Sequence, residues 1–113
     1  MANIMLKPNW RSKYNARKTE MDGIVFDSIR EAHRYSELKQ LEAAGEIIGL
    51  ELQPKFPLVV NGERIAVYRA DFRYCDSYGH IVVEDVKGFR TPVYRLKKKL
   101  FEAIYGMAIT EIE

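Results

Sequence analysis

Hydrophobic and polar residues alternate from Tyr68 to Tyr74, and this period of two predicts a β-strand. A polar turn at residues 76–79 follows, and then a segment from Ile81 to Lys87 that is rich in β-branched residues, as strands are. The two segments together predict a β-hairpin. Asp71 interrupts the pattern, because it lies in the middle of its predicted strand, where aspartate is uncommon.

Two other segments have the spacing of amphipathic helices. Ser28 begins the first, since a serine three residues before a glutamate forms a capping box, and Gly45 ends it. Pro92 begins the second helix and Gly106 ends it. The apolar stripes are Ala32, Tyr35, Leu38 and Leu41 in the first helix, and Val93, Leu96, Leu100 and Ile104 in the second. We expect both stripes to be buried against a sheet.

The remaining elements are shorter. They are a hairpin at residues 19–26 with an Asp22-Gly23 turn, a strand-like segment at 46–60 broken by two prolines, an Asn61-Gly62 turn and a final strand at 107–112. A strand that follows a crossover helix pairs in parallel with the strand before the helix. The order therefore predicts an α/β fold of the mixed α+β type, with a mixed central sheet flanked by helices in the order αβββαβ.

Composition limits the classes of protein to consider. A chain of 113 residues with 47% hydrophobic residues suits one domain, which we place at residues 19–113. The single cysteine, Cys75, fits a reducing cytoplasm, and the absence of a long apolar run predicts no membrane span. Residues 1–18 are basic and predict an arm that either contacts phosphates or is merely solvated. Because the net charge is only +2, the distribution of charge carries the argument for a nucleic-acid partner.

The hairpin also carries the candidate chemistry. Asp85 and Lys87 are two residues apart, so their side chains leave the same face of the second strand. The carboxylates of Asp71 and Asp85 would suit a hard cation such as Mg²⁺, and a lysine beside them can stabilise developing negative charge. Taken alone, the pattern is more typical of ordinary surface charges on a hairpin.

Several short segments together favour a metal site over ordinary surface charges. They are Lys13-Tyr14-Asn15-Ala16, Asp22-Gly23-Ile24-Val25-Phe26-Asp27-Ser28, Leu52-Gln53-Pro54-Lys55-Phe56, Ala70-Asp71-Phe72 and Val83-Glu84-Asp85-Val86-Lys87-Gly88. With the basic helix that follows, they resemble the PD-(D/E)XK nuclease superfamily, and within it a phage- and prophage-borne group of small proteins. The resemblance covers nearly all of the chain after the first dozen residues. It departs at one place, because Ala70 stands where the superfamily has a proline.

The resemblance implies a restriction-endonuclease-like core and a Mg²⁺- or Mn²⁺-dependent endodeoxyribonuclease in the cytoplasm of a bacterial host. It implies Asp71 and Asp85 as metal ligands and Lys87 as the catalytic lysine. Glu31 becomes a third carboxylate of the metal site, although a capping role at its helix start is the alternative. Gln53 becomes an accessory residue, or else a strand-end side chain that bonds to backbone. We leave out Glu84, which faces away from Asp85 in a regular strand.

Basic residues near these positions predict a DNA-binding surface. They are Arg90, Arg95, Lys97, Lys98 and Lys99 around the second helix, and Lys13, Arg17 and Lys18 in the arm. Tyr94 and Lys97 lie on adjacent turns and are expected to face the scissile phosphate. Phosphate contacts carry no direct sequence information, so we expect branched or junction DNA to be recognised by shape. By analogy with Holliday-junction resolvases, a homodimer would supply two active sites.

Two other functions remain open at this point. One is a non-catalytic nucleic-acid-binding module on the same fold, which would use the basic helix and the arm without cutting DNA. The other is a structural component of a phage replication or packaging complex, which would need a large apolar surface patch.

Overall fold

Residues 17–113 are described by a computed structural model, and within this range the chain forms two helices and eight strands. The elements are β1 (Thr19–Met21), β2 (Ile24–Phe26), α1 (Ile29–Ala43), β3 (Ile48–Leu52), β4 (Lys55–Val60), β5 (Glu63–Arg69), β6 (Phe72–Cys75), β7 (Ile81–Val86), α2 (Pro92–Tyr105) and β8 (Thr110–Ile112). Neither helix is long and apolar enough to cross a membrane.

The central sheet has the strand order β3-β6-β7-β8. The first three strands pair antiparallel, and β8 pairs in parallel with β7 after the chain has crossed over through α2. The mixed α+β fold with a mixed central sheet is therefore confirmed. The β4–β5 hairpin forms a separate two-stranded sheet inserted between β3 and β6, and its turn at Asn61 and Gly62 has the positive φ angles that such turns require.

The prediction of one continuous strand through Asp71 is wrong. β5 ends at Arg69 and β6 begins at Phe72, so Asp71 lies in a bend where the chain passes from the outer hairpin to the central sheet. Its N–H donates to the carbonyl of Glu84 at 3.0 Å, and its own carbonyl accepts from the N–H of Gln53 at 2.9 Å. This position suits aspartate, which is uncommon inside strands, because the residue joins two strands without belonging to either.

The core has two parts, one on each face of the central sheet. Under α1 lie Phe26, Ala32, Tyr35, Leu38, Ile47, Phe72, Tyr74 and Val86. On the opposite face lie Phe56, Leu58, Tyr68, Ala70, Val83, Phe101 and Ile109. The predicted stripe of α1 is confirmed, since three of its four residues are buried and Leu41 packs against them.

The predicted buried face of α2 is wrong for its first two residues. Val93 and Leu96 are each 61% exposed, whereas Phe101 is fully buried. The ring of Phe101 packs against Phe56 and Tyr68 with centroid distances of 4.9 and 5.5 Å. Aromatic rings bury more area than aliphatic side chains and gain from edge-to-face contact, so this cluster sets the rotation of the helix. Of the predicted stripe, Leu100 packs against this cluster, whereas Val93 and Leu96 remain exposed.

A buried ion pair joins α1 to the centre of the sheet. Glu84 is completely buried, and Arg34 donates to its two carboxylate oxygens at 2.8 and 2.6 Å. The hydroxyl of Tyr74 donates to the same carboxylate, and Arg34 also pairs with Glu37 at 2.9 Å. Each charged group thus has hydrogen-bonding partners that offset its loss of water.

We predict that Arg34→Ala lowers the free energy of unfolding by about 3–5 kcal/mol, because Glu84 would remain buried without a countercharge. Glu37→Ala removes an exposed partner of the same arginine and should cost less than about 1 kcal/mol. The double variant Arg34→Met, Glu84→Leu should recover most of the loss. Urea denaturation of the three variants checks the prediction, and a small loss in Arg34→Ala would contradict it.

Candidate functional site

One pocket, of about 370 Å³, lies where the carboxyl end of β7 meets the start of both helices. Its lining includes four of the predicted catalytic residues, Glu31, Asp71, Asp85 and Lys87, together with Tyr94 and Lys97 of α2. These side chains come from four separate parts of the chain. The pocket therefore depends on the tertiary fold and not on any local motif.

Backbone hydrogen bonds hold Asp71 in place. Besides the two main-chain bonds that fix its bend, its Oδ2 accepts from the N–H of Val86 at 2.7 Å. This bond attaches the carboxylate directly to β7, beside Asp85. The position of Asp71 is therefore set by main-chain atoms, which have less conformational freedom than side chains.

Asp85 and Lys87 have their side chains on the same face of the chain, as their two-residue spacing predicts. Lys87 Nζ lies 2.8 Å from Asp85 Oδ1, and the hydroxyl of Tyr68 donates to Oδ2. The same Nζ lies 3.7 Å from the centre of the Tyr94 ring, close enough for a cation–π interaction. Tyr94 is itself fixed by a hydrogen bond of 2.6 Å from its hydroxyl to Glu111. The lysine is thus held over the pocket by a carboxylate and an aromatic ring.

Glu31 lies at the start of α1, and its carboxylate lines the pocket. Its N–H donates to Ser28 Oγ at 3.1 Å, which is the helix cap that the sequence predicts. Its carboxylate lines the pocket, where burial, and then the charges of Asp27 and Asp85, raise its pKa to about 7. A hydrogen bond with the backbone at Asp27 opposes part of this rise in pKa, so the carboxylate contributes both to the start of the helix and to the cluster.

Each carboxylate of the pocket makes the ionised form of its neighbours less favourable. Burial, followed by the charges of Glu31 and Asp85, raises the pKa of Asp71 to about 8. At neutral pH the metal-free pocket therefore retains protons on carboxyl groups that would otherwise be ionised. A bound cation would replace these protons as the source of positive charge.

The oxygen donors fit Mg²⁺ or Mn²⁺. Among residues 17–113 no three carboxylate, imidazole or thiolate side chains are grouped so that they would hold a metal ion by themselves. Mg²⁺ does not need such a group, because it keeps several waters and is commonly held by one or two carboxylates and a substrate phosphate. Asp71 and Asp85 match that pattern, with Glu31 in the same pocket.

Gln53 is placed differently from the other predicted site residues. Its backbone, with a φ of 53°, bonds to Asp71, but its side chain is not part of the pocket lining. The structure thus brings Gln53 to the site as a backbone support for Asp71.

The basic residues that were predicted to bind DNA fall into two groups, according to whether they form ion pairs. Arg90 pairs with Glu111 and Glu113, Lys98 with Glu102, and Lys18 with Asp27, at 2.5–3.2 Å. By contrast, Lys97 lines the pocket, Arg95, Lys99 and Arg17 are exposed, and none of these four forms an ion pair with a described carboxylate. Lys13 lies outside the described residues, as does most of the predicted arm.

Sequence reasoning missed several residues of the pocket lining, among them Tyr68, Asp27 and Arg69. Tyr68 is buried and bonded to Asp85, and Asp27 lines the pocket while pairing with Arg69 at 3.2 Å. The only signal for Tyr68 was its place in the alternating segment before Asp71. Asp27 belongs to a segment of the resemblance but was assigned no role, because an acid just before a helix cap is common for electrostatic reasons alone.

A family model described as "Protein of unknown function (DUF1064)" matches residues 11–111. The chain belongs to the DUF1064 family. No curated protein and no solved structure matches the chain. The family model therefore covers the whole carboxylate pocket of this DUF1064 protein, since every pocket residue named above lies within residues 11–111.

We predict that Asp71→Asn stabilises the metal-free protein, increasingly so as the pH rises. In the unfolded chain Asp71 ionises near its ordinary pKa of 3.8, whereas in the folded protein it keeps its proton up to about pH 8. The folded state therefore binds more protons in this window, and the wild type loses stability as the pH rises through it. Asparagine removes the ionisation and keeps an oxygen for the Val86 N–H.

Thermal unfolding in EDTA at both ends of that window checks the prediction. Glu63→Gln, which changes an exposed acid of β5, is the matched control and should show no such trend. An equal shift in Tm at both ends for Asp71→Asn would contradict the assignment.

Proposed function

We propose that this protein is a metal-dependent endodeoxyribonuclease with a restriction-endonuclease-like core of the PD-(D/E)XK type. The observation that carries the proposal is the convergence of Asp71, Asp85 and Lys87 on one pocket. The lining also includes Lys97, which forms no ion pair with a described carboxylate. The strand order and the two flanking helices support the same assignment. We further propose that it acts on branched or junction DNA as a homodimer in phage DNA metabolism.

Five pocket residues have roles that their positions support. Mg²⁺ or Mn²⁺, when bound, supplies a Lewis acid for the phosphate and lowers the pKa of a bound water. Asp71 and Asp85 would hold the ion, and Tyr68 keeps Asp85 oriented through one of its oxygens. Lys87 places its ammonium group at the carboxylates, where it can orient the attacking water or stabilise charge on the phosphate. Lys97 would bind a phosphate of the strand that enters the pocket.

One observation favours a non-catalytic binding module as the second candidate. Both oxygens of Asp85 already have partners, Lys87 and Tyr68, so the carboxylate is satisfied without a metal. The exposed cations Arg95 and Lys99 do not depend on the carboxylates and would bind DNA in either case. Only a cleavage assay distinguishes the two functions.

We predict that plasmid and four-way-junction DNA are cut with Mg²⁺ or Mn²⁺ and are left intact in EDTA. Ca²⁺ should support binding with little turnover, because it takes more ligands at longer distances. Asp71→Asn and Asp85→Asn should each lower the cleavage rate by about 100-fold or more, since loss of a metal ligand removes several kcal/mol of transition-state stabilisation. Glu46→Gln, an exposed acid away from the pocket lining, is the control. Binding without cleavage under every condition would leave the binding module as the function.

We predict that Lys87→Met lowers kcat by at least about tenfold with little change in DNA affinity, because the ammonium group acts at the carboxylates. Lys99→Met should do the reverse. It should leave kcat unchanged and reduce the slope of log K against log salt by roughly one unit for a lost phosphate contact. Single-turnover kinetics and salt titrations separate the two effects. A Lys87→Met variant that only binds more weakly would make Lys87 a phosphate contact.

A further inference from the structure

The exposed apolar residues of α2 lie beside the carboxylate pocket. Val93 lines the pocket together with Lys97, and Leu96 stands on the next turn with the same 61% exposure as Val93. Such side chains are costly to leave in water at a functional pocket, so they indicate a partner that covers them.

The charges around these residues indicate what that partner is. Residues 87–101 contain six lysines and arginines and no acidic residue. Three of them, Arg95, Lys97 and Lys99, form no ion pair with a described carboxylate. A second copy of this chain paired through α2 would bring these cations against one another. A polyanion that also offers apolar surface would satisfy both the cations and the exposed side chains.

We propose that Val93 and Leu96 form a wedge that contacts unpaired bases of DNA whose phosphates are held by Arg95, Lys97 and Lys99. The wedge rests on the proposed function for the identity of its DNA partner, and it defines that partner as DNA with unpaired or unstacked bases next to the cut. In an intact duplex the base faces are stacked and covered, so aliphatic side chains gain little there. Aliphatic side chains do insert between bases where the stack opens.

The same geometry explains why the wedge lies at the pocket. Val93 and Lys97 are one helical turn apart and line the same cavity as Asp71 and Asp85. A base held against Val93 would therefore belong to a nucleotide close to the phosphate in the pocket. The wedge would thus select open DNA at the position of the cut. This selection differs from reading the overall shape of a duplex through its phosphates alone.

Binding in EDTA tests the wedge without cleavage. The probes are a fully paired duplex and the same duplex with an unpaired fluorescent adenine analogue beside a nick. The wild type should bind the open probe more tightly and change its fluorescence. Leu96→Gln, which keeps a good helix former, should lower that preference by roughly fivefold or more, because a polar amide does not replace the apolar contact with an unstacked base. Affinity for the paired duplex should not change.

Ile48→Thr is the matched control, because Ile48 is 63% exposed but lies at the other end of the sheet, where it pairs through Cys75 with Ile81. Equal affinity of the wild type for the two probes would overturn the wedge. So would a lower molecular mass of Leu96→Gln by light scattering, because the stripe would then join two copies of the chain. Cleavage is scored separately with Mg²⁺. A wild type that cuts without preferring open DNA overturns only the wedge, and one that prefers open DNA without cutting overturns only the nuclease.

Discussion

Two adjacent carboxylates, Glu84 and Asp85, are buried in the central strand β7, and the rest of the structure is arranged around their charges. Neighbouring residues in a strand face opposite sides of the sheet, so the two acids cannot share one countercharge. Glu84 meets Arg34 and Tyr74 on the α1 side. Asp85 meets Lys87 and Tyr68 on the α2 side. Each face of the sheet therefore has its own polar cluster within an otherwise apolar core.

The two clusters differ in what they allow. The cluster around Glu84 is closed, because a bidentate arginine and a tyrosine satisfy a carboxylate that has no contact with water. The cluster around Asp85 opens into the pocket and includes carboxylates that raise one another's pKa. A closed cluster stabilises the fold. In a crowded open cluster the carboxylates repel one another, and a bound cation would relieve that repulsion. The proposed chemistry lies on the second face for this reason.

Local signals in the sequence were sufficient for much of the fold. The turn residues, the Ser28 cap and the two-residue spacing of Asp85 and Lys87 each depend on neighbours within a few positions. The rotation of α2 was not predictable in this way, because it depends on rings at Phe56 and Tyr68 that are far away in the chain. The pairing of Arg34 with Glu84 is also invisible locally, since fifty residues separate them. Spacing and resemblance together predicted Asp71, Asp85 and Glu31 as site residues, whereas the part of Asp27 and the mutual electrostatics of these carboxylates needed the structure.

The bend at Asp71 has a consequence for how relatives of this chain can differ in length. The N–H of Ala70 donates to the carbonyl of Pro54 at 3.1 Å, and Gln53 bonds to Asp71, so the base of the β4–β5 hairpin is closed by main-chain bonds next to the pocket. Its far end, residues 59–64, is exposed. Residues can therefore be added to or removed from that end without moving Asp71. Insertions and deletions among family members should concentrate there, and the distance along the chain from Gln53 to Asp71 should vary while their hydrogen bond persists.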